Sequence, residues 1–405
     1  MSYAELAAQV LEQDLCTSCG ACAAVCPQDL LRISVDRPVA ALRPEVAAGD
    51  VSCGSCTLCV DSCPGKDTGT ADSELRLFGR TRAEHERWVG ISRQTFQAHA
   101  LSSEVLGAAS AGGAVTTLLI TALRTGMIDA ALVVGRDDDR PWIPAAHLVD
   151  TEAAVTASAQ ASYSIAPTLQ LLRDTAYQRI AVVGLACQIQ ALNKMANLPE
   201  PPPVLSKVAL TIEIACSSNT RLAGTEHLVE DRLRLPLAEV ADLKYRSGRY
   251  PGTFTARDGS GTEHSLPFHE LVTTFKKFKT FRCLACPDWW SGLADISVAD
   301  GDPNIFRTSR NDTEVPKTSL VMTRTGTGDE LVARAVERDE LEVADSTFEP
   351  GESLGLQRKR HRYLGYQRKY PERVPHPAMP GEETVQPLSD EDVIERMSPA
   401  GARGD

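Results

Sequence analysis

Twelve cysteines in a chain of 405 residues are the side chains whose spacing promises chemistry. They are Cys16, Cys19, Cys22, Cys26, Cys53, Cys56, Cys59, Cys63, Cys187, Cys216, Cys283 and Cys286. The first eight form two runs, CTSCGACAAVCP from Cys16 and CGSCTLCVDSCP from Cys53, each reading C-x2-C-x2-C-x3-C-P. That spacing holds [4Fe–4S] clusters. Three cysteines, each separated by two residues, lie on a tight loop and wrap three corners of a cubane. The fourth lies a helical turn further on, points away and serves the other cluster. One cluster is therefore expected at Cys16, Cys19, Cys22 and Cys63, and a second at Cys53, Cys56, Cys59 and Cys26. Pro27 and Pro64 lack an N–H and turn the chain just past the fourth ligand. The small residues Gly20, Ala21, Gly54 and Ser55 let amides approach the sulphurs. Two copies of the run, each with its proline, argue against a pair of structural zinc sites.

The elements that must position these residues can also be read. The first 70 or so residues resemble a two-cluster bacterial ferredoxin, although the linker 27–52 is longer than a minimal one needs. LLRISV within it alternates as a strand does. Further on, Ser102 or Ser103 caps a helix entry, and 107–125 reads as a helix that Gly126 ends. Strands are expected at 130–134, within 178–195 (strand, turn, helix), at 208–219, within 292–302, and last at 319–325. The triplet in RDDDRP reads as a solvated hairpin loop. Strands alternating with helices predict α/β layers with some antiparallel hairpins.

On that map Cys187 begins a helix just after a strand, where the helix dipole favours a thiolate or an anionic cluster. Cys216 lies just past the next strand. If the two strands are parallel, both sulphurs sit at one carboxyl edge, where α/β folds place their sites. Cys283 and Cys286 form a C-x2-C pair. Four cysteines remain and a cubane takes four, so a third cluster is one reading of them. A four-cysteine zinc site, or buried structural cysteines at 187 and 216, are the others.

Composition narrows the class. Lys and Arg number 42 against 54 Asp and Glu, a net charge of -12, which argues against a general nucleic-acid binder. Hydrophobic content of 42% and charged content of 24% are ordinary for a globular protein. No run of about 18 apolar residues suggests a membrane span. The opening MSYAELAAQVLEQDL has no apolar signal core, so a cytoplasmic protein with reduced thiols is expected.

Six segments, in order, carry a wider resemblance: GAASAGGAVTTLL (107–119), GMIDAALVVG (126–135), ASYSIAP (161–167), VVGLACQIQAL (182–192), KYRSGRYPG (244–252) and CLACPDWWSGLADISVADGD (283–302). Through them the chain resembles the beta subunit of coenzyme F420-reducing hydrogenases and formate dehydrogenases over roughly 88–345. That family also includes 7-hydroxymethyl chlorophyll a reductases. The resemblance implies an iron–sulphur flavoprotein. It would carry FAD and a third [4Fe–4S] cluster on Cys187, Cys216, Cys283 and Cys286. Departures occur at Gly184-Leu185-Ala186-Cys187 and at Ser297-Val298-Ala299-Asp300, and they put the substrate in question.

For the flavin, Gly112 and Gly113 at a helix start offer amides and close backbone approach. Ser110, Thr116 and Thr117 add hydroxyls, and Ser162 and Tyr163 are further candidates. Lys276, Lys277, Lys279 and Arg282 form a basic run suited to offsetting cluster charge or holding an anionic tail. The alternative is a solvated helix face. Arg246 and Arg249 are expected in a loop closing over substrate. The basic stretch QRKRHRYLGYQRKY (357–370) reads as a surface helix, and the tail beyond Pro375 as mobile.

The fold expected is α/β (α+β), with a small ferredoxin-like domain followed by a mixed-sheet flavin-binding body. The divisions fall at 1–75, 88–175, 176–345 and 346–405. The function expected is electron movement between coenzyme F420, by hydride exchange with FAD, and three [4Fe–4S] clusters or ferredoxin. The alternatives are a ferredoxin-dependent reductase of a small organic substrate and an electron-transfer subunit of a larger dehydrogenase or hydrogenase. Expected partners are that small molecule and a ferredoxin or redox subunit, with a homo-oligomer as an option. No catalytic acid or base is legible.

Overall fold

The computed structural model describes residues 2–35, 41–43, 53–375, 380–381 and 385–390. The tail read as mobile lies mostly outside them. Thirteen strands are present among the described residues. They are β1 (Leu31–Arg32), β2 (Ala41–Leu42), β3 (Gln94–Ala100), β4 (Ala130–Arg136), β5 (Pro144–Val149), β6 (Ile180–Leu185) and β7 (Val208–Ile214), then β8 (Val240–Ser247), β9 (Thr253–Asp258), β10 (Glu263–Pro267), β11 (Ile296–Asp300), β12 (Ser319–Thr323) and β13 (Leu341–Asp345).

Eight of them form one mixed sheet in the order β13-β3-β12-β11-β7-β6-β4-β5. Its centre, β4, β6, β7 and β11, is parallel. The β4–β5 hairpin and the strands β12, β3 and β13 add antiparallel edges. The centre is largely apolar because both faces are covered, with Glu213 of β7 and Ser297 of β11 as fully buried polar exceptions. Ala181 and Val183 of β6 face the helices Ala114–Arg124 and Gly326–Glu337. Ile180 and Val182 face the helix Ala186–Ala196 and the turn Thr168–Leu172. Each fully buried Val, Leu or Ile contributes about 1.5–3 kcal/mol. A separate antiparallel sheet, β8 to β10, packs its own apolar cluster around Phe254 and Leu271.

The N-terminal module lies on the second face of the large sheet. Cys19, Ala21 and Val25 share a core with Leu169, Leu172 and Leu293. Gly20, at φ 91°, approaches so closely that an added Cβ would meet Gln170 N at 2.7 Å. Leu169 N donates to Cys19 O at 3.0 Å. No helix among the described residues is long and apolar enough to cross a membrane.

Four local expectations need correction. The 107–125 segment is two helices, Ser103–Ala108 and Ala114–Arg124. The break falls where Gly113 adopts φ 77° and Gly112 lies against backbone, so the chain leaves helical dihedrals. LLRISV contributes only the two-residue β1. The strand at 319–323 is followed by β13, and β3 and the β8–β10 sheet were not among the expected strands. The basic C-terminal stretch is the helix Leu354–Lys369, but it buries Leu356, Lys359, Tyr363 and Tyr366 rather than lying on the surface. Its tyrosines and leucine join the module's Leu6, Val10 and Leu15 and the body's Phe281 and Leu284 in one core.

Candidate functional site

The module collects its eight cysteines as two groups. Cys22 is under the electrostatic influence of Cys19, Cys16 and Cys63. Burial pushes the Cys19 thiol up to about 11 and the Cys63 thiol up to about 12, with neighbouring sulphurs adding to it. Four thiols held this way resist ionising together unless a cationic centre binds them, which is the chemistry of a metal or cluster site. Gly65 N donates to Cys63 Sγ at 3.4 Å. A Cβ on Gly65 would meet Leu15 O at 2.7 Å, so the amide reaches the sulphur only because no side chain is there. The second group, Cys26, Cys53, Cys56 and Cys59, lines one cavity with Tyr3 and Leu58. Leu30 N donates to Cys26 Sγ at 3.4 Å. The fourth cysteine of each run thus stands with the first three of the other.

The remaining four cysteines also meet. Cys187 occupies the first turn of Ala186–Ala196, and Cys216 lies two residues beyond β7. Strands β6 and β7 are parallel, with Leu185 opposite Ile214, so both cysteines stand at one carboxyl edge. Cys283 lies in the short helix Phe281–Leu284, where Thr280 Oγ1 caps its amide at 3.3 Å. Cys286 follows, its thiol 3.8 Å from Asp288 O. Burial holds Cys187 well above the usual thiol range, reinforced by Cys19, Cys216, Cys283 and Cys286. Cys187 therefore faces two groups: its own, and Cys19 of the module. Zinc would draw four sulphurs to about 2.3 Å from one ion. Among the described residues no three Cys, His, Asp or Glu side chains converge in that way. A cubane, whose irons each take one thiolate, is the other group that four cysteines can hold.

Cations surround this last group. Arg282, 1% exposed, donates to Gly65 O at 3.1 Å and Pro64 O at 3.3 Å, tying the Cys283 segment to the turn after Cys63. Lys279 is buried, and burial, with Arg362 beside it, pushes its ammonium well below the usual lysine range. Burial alone would lower Lys359, but the Cys286 and Cys216 sulphurs outweigh it and the group is raised. Lys359 and Arg362 come from the helix expected at the surface, and sequence reasoning missed them. Their spacing of three, on the face that also carries Tyr363 and Tyr366, was the only available sign. Asp288 was missed too; it is 3% exposed and accepts from Gln190 Nε2 at 2.9 Å.

The candidate flavin residues scatter more. Ser110 Oγ accepts from Ala161 N at 2.9 Å, beside Ser162. Gly113 precedes Ala114–Arg124, whereas a Cβ on Gly112 would meet Ala98 O and Ser319 N at 2.5 Å, so its close approach is to protein backbone. Thr116 and Thr117 are buried in that helix, and Thr117 Oγ1 has no partner among the described residues. Ser162 Oγ is buried with no partner among the described residues and lines an opening at the end of β4 with Arg136, Trp142, Gln160 and Tyr245. Such an orphaned hydroxyl fits a bound polar group. Tyr163 stacks among Tyr245, Phe268 and Phe275, where burial pushes its hydroxyl up to about 12. Lys276 and Lys277 are exposed. Arg246 is not in a loop closing over substrate: it lies within β8, 4% exposed, and grips Asp300 at 2.8 and 3.1 Å. Arg249 pairs with Asp312 at the surface.

One strip joins the two halves of the site. Ser164 bridges to Thr220, and Thr220 to Lys279. Tyr163 O accepts from Thr220 N at 2.9 Å. Ser162 and Tyr163 are thereby strung through 216–220 to the segment bearing Cys283.

Residues 95–173 match the N-terminal half, and residues 177–348 the C-terminal half, of the family described as Coenzyme F420 hydrogenase/dehydrogenase, beta subunit. Residues 15–66 match a 4Fe-4S dicluster domain. The chain is 29% identical over 62% of its length to a coenzyme F420 hydrogenase subunit beta of Methanosarcina barkeri, covering 79% of that protein. It is 26% identical over 74% of its length to a subunit of the F(420)H(2) dehydrogenase of Methanosarcina mazei, covering 80% of it. A chain solved in the F420-reducing [NiFe] hydrogenase complex from Methanosarcina barkeri superposes with a TM-score of 0.56 at 26% identity, over 70% of this chain and 92% of that one.

Proposed function

Because the chain belongs to the family of coenzyme F420 hydrogenase/dehydrogenase beta subunits and carries a dicluster domain, we propose that it is an oxidoreductase linking coenzyme F420 to iron–sulphur clusters through FAD. When bound, the flavin supplies the exchange between an electron pair, carried as hydride, and single electrons. The observation that carries this reading is the seating of the body's cysteine group against the module's first: Arg282, next to Cys283, donates to Gly65 O at 3.1 Å and Pro64 O at 3.3 Å, just past Cys63. On this reading all twelve cysteines serve three clusters, with Cys26, Cys53, Cys56 and Cys59 the group furthest along from the flavin. Ser110 and Ser162 bind the flavin's polar groups, with Gly112, Gly113, Thr116 and Thr117 shaping the helix entry behind them. Tyr163 packs the wall, and Lys276 and Lys277 hold the acidic tail of the deazaflavin.

The protein purified without oxygen is expected to contain about 12 iron atoms per chain together with FAD, and reduced F420 is expected to bleach that flavin on mixing. Absence of bleaching alongside rapid reduction by a ferredoxin would instead make the chain a ferredoxin-dependent reductase of a small organic substrate. A second reading, an electron-transfer subunit of a larger assembly, is favoured by the similar chain solved within a hydrogenase complex. It expects bleaching but no turnover until a partner redox subunit is added.

A further inference from the structure

The helix Leu354–Lys369 lies beyond the residues that match the family, which end at 348. Yet it reaches into the third cysteine group. Lys359 Nζ donates to Cys216 O at 2.7 Å and also to Asp288 O. One turn on, Arg362 donates to Ser217 O at 2.8 Å, Leu284 O at 3.0 Å and Cys283 O at 3.3 Å. Two loops far apart in sequence, 216–217 and 283–288, are thus pinned by two cations on one helical face. Lys359 is 2% exposed, and among the described residues no carboxylate forms an ion pair with it. A buried charge is costly unless an opposite charge compensates it. The acceptors seen are neutral carbonyls, and the anionic groups whose influence reaches it are the Cys286 and Cys216 sulphurs and the buried Asp288 carboxylate.

We propose that Lys359 and Arg362 are positioning residues that set the reduction potential of a cluster held by Cys187, Cys216, Cys283 and Cys286. This rests on the reading above that these four cysteines bind a cluster. A cubane with four thiolates is anionic and gains a negative charge on reduction. Fixed cations beside it favour the reduced form, and net charge and hydrogen bonding are among the levers on cluster potential. The two side chains therefore raise this cluster's potential above the value it would have without them.

The test is a spectroscopically monitored redox titration of the full chain, with iron counted in every sample. In Lys359→Met and in Arg362→Gln the potential of the third cluster is expected to fall while the other two stay where they were. Arg362→Lys should leave all three in place. If both charge-removing variants keep wild-type iron and show no shift, or if all three potentials move together, the proposal is overturned. Should the charge-removing variants lose the third cluster's iron, retention of that iron by Arg362→Lys supports the proposal, and equal loss in Arg362→Lys overturns it. A wild-type protein holding only about eight irons would instead overturn the cluster reading itself.

Discussion

At the residue scale, the informative side chain is Cys187. It stands at a helix start, beside Cys216, Cys283 and Cys286, and also within the influence of Cys19. Its loss should therefore act differently from loss of a cysteine in the outer group. Cys187→Ser is expected to remove about four of the irons and to stop electrons from reaching the module, while reduced F420 still bleaches the flavin. Cys56→Ser is expected to remove a similar amount of iron but to leave the cluster at Cys16, Cys19, Cys22 and Cys63 reducible from the flavin side. Stopped-flow spectra of the two variants decide the matter. Identical behaviour would dissolve the order inferred from the Cys19–Cys187 proximity.

At the element scale, glycine decides where helices stop and how closely they approach. Gly112 lies where β3 and β12 run side by side, and a Cβ there would meet Ala98 O and Ser319 N at 2.5 Å. Both are backbone atoms held in a sheet, so neither gives way easily. Gly112→Ala is expected to destabilise the body by about 1–3 kcal/mol, as overpacking does, read as a lower denaturation midpoint with the module's clusters intact. An unchanged midpoint would mean that the strands shift to accommodate a methyl group. The helical periodicity of 107–125 was legible in the residues. A helix start at Gly112–Gly113 was legible too, but the turn that separates Ser103–Ala108 from Ala114–Arg124 was not, because it is imposed by strands from opposite ends of the body, one at 94–100 and the other at 319–323.

At the scale of the whole molecule, module and body are held as one by two shared apolar cores and by specific polar contacts. Arg282 donates to Gly65 O and Pro64 O, and so connects the residue beside Cys283 to the turn after Cys63. Arg173 donates to Cys26 O and pairs with Asp29 at 3.2 Å. Arg373 from the C-terminal segment pairs with Asp14 at 2.7 Å. Electron transfer weakens steeply with distance, so these contacts bear on rate as much as on stability. Arg282→Met is expected to keep full iron and flavin yet slow the passage of electrons from body to module. Freeze-quench spectra of the module's clusters after mixing with reduced F420 would show it. Unaltered kinetics would assign the coupling to the apolar seat around Gly20 and Leu169 instead.

The grouping of the fourth cysteine of each run with the first three of the other was readable from the residues, because a tight loop followed by a helical turn is local geometry that spacing encodes. The alternation of strands and helices in the body was readable for the same reason. The basic character of 357–370 was equally visible, but not its destination. Lys359 meets Cys216 across 143 positions, and Arg362 meets Cys283 across 79. Local pattern shows a face of cations and aromatics. Only the packing of Tyr363 and Tyr366 against Phe281 and the module's Leu6 and Val10 turns that face inward, because burying those rings carries the charges in with them. Arg246 shows the same limit from the other side. Its Gly/Pro surroundings read as a loop, and tertiary pairing with Asp300 made it a fixed, buried strut.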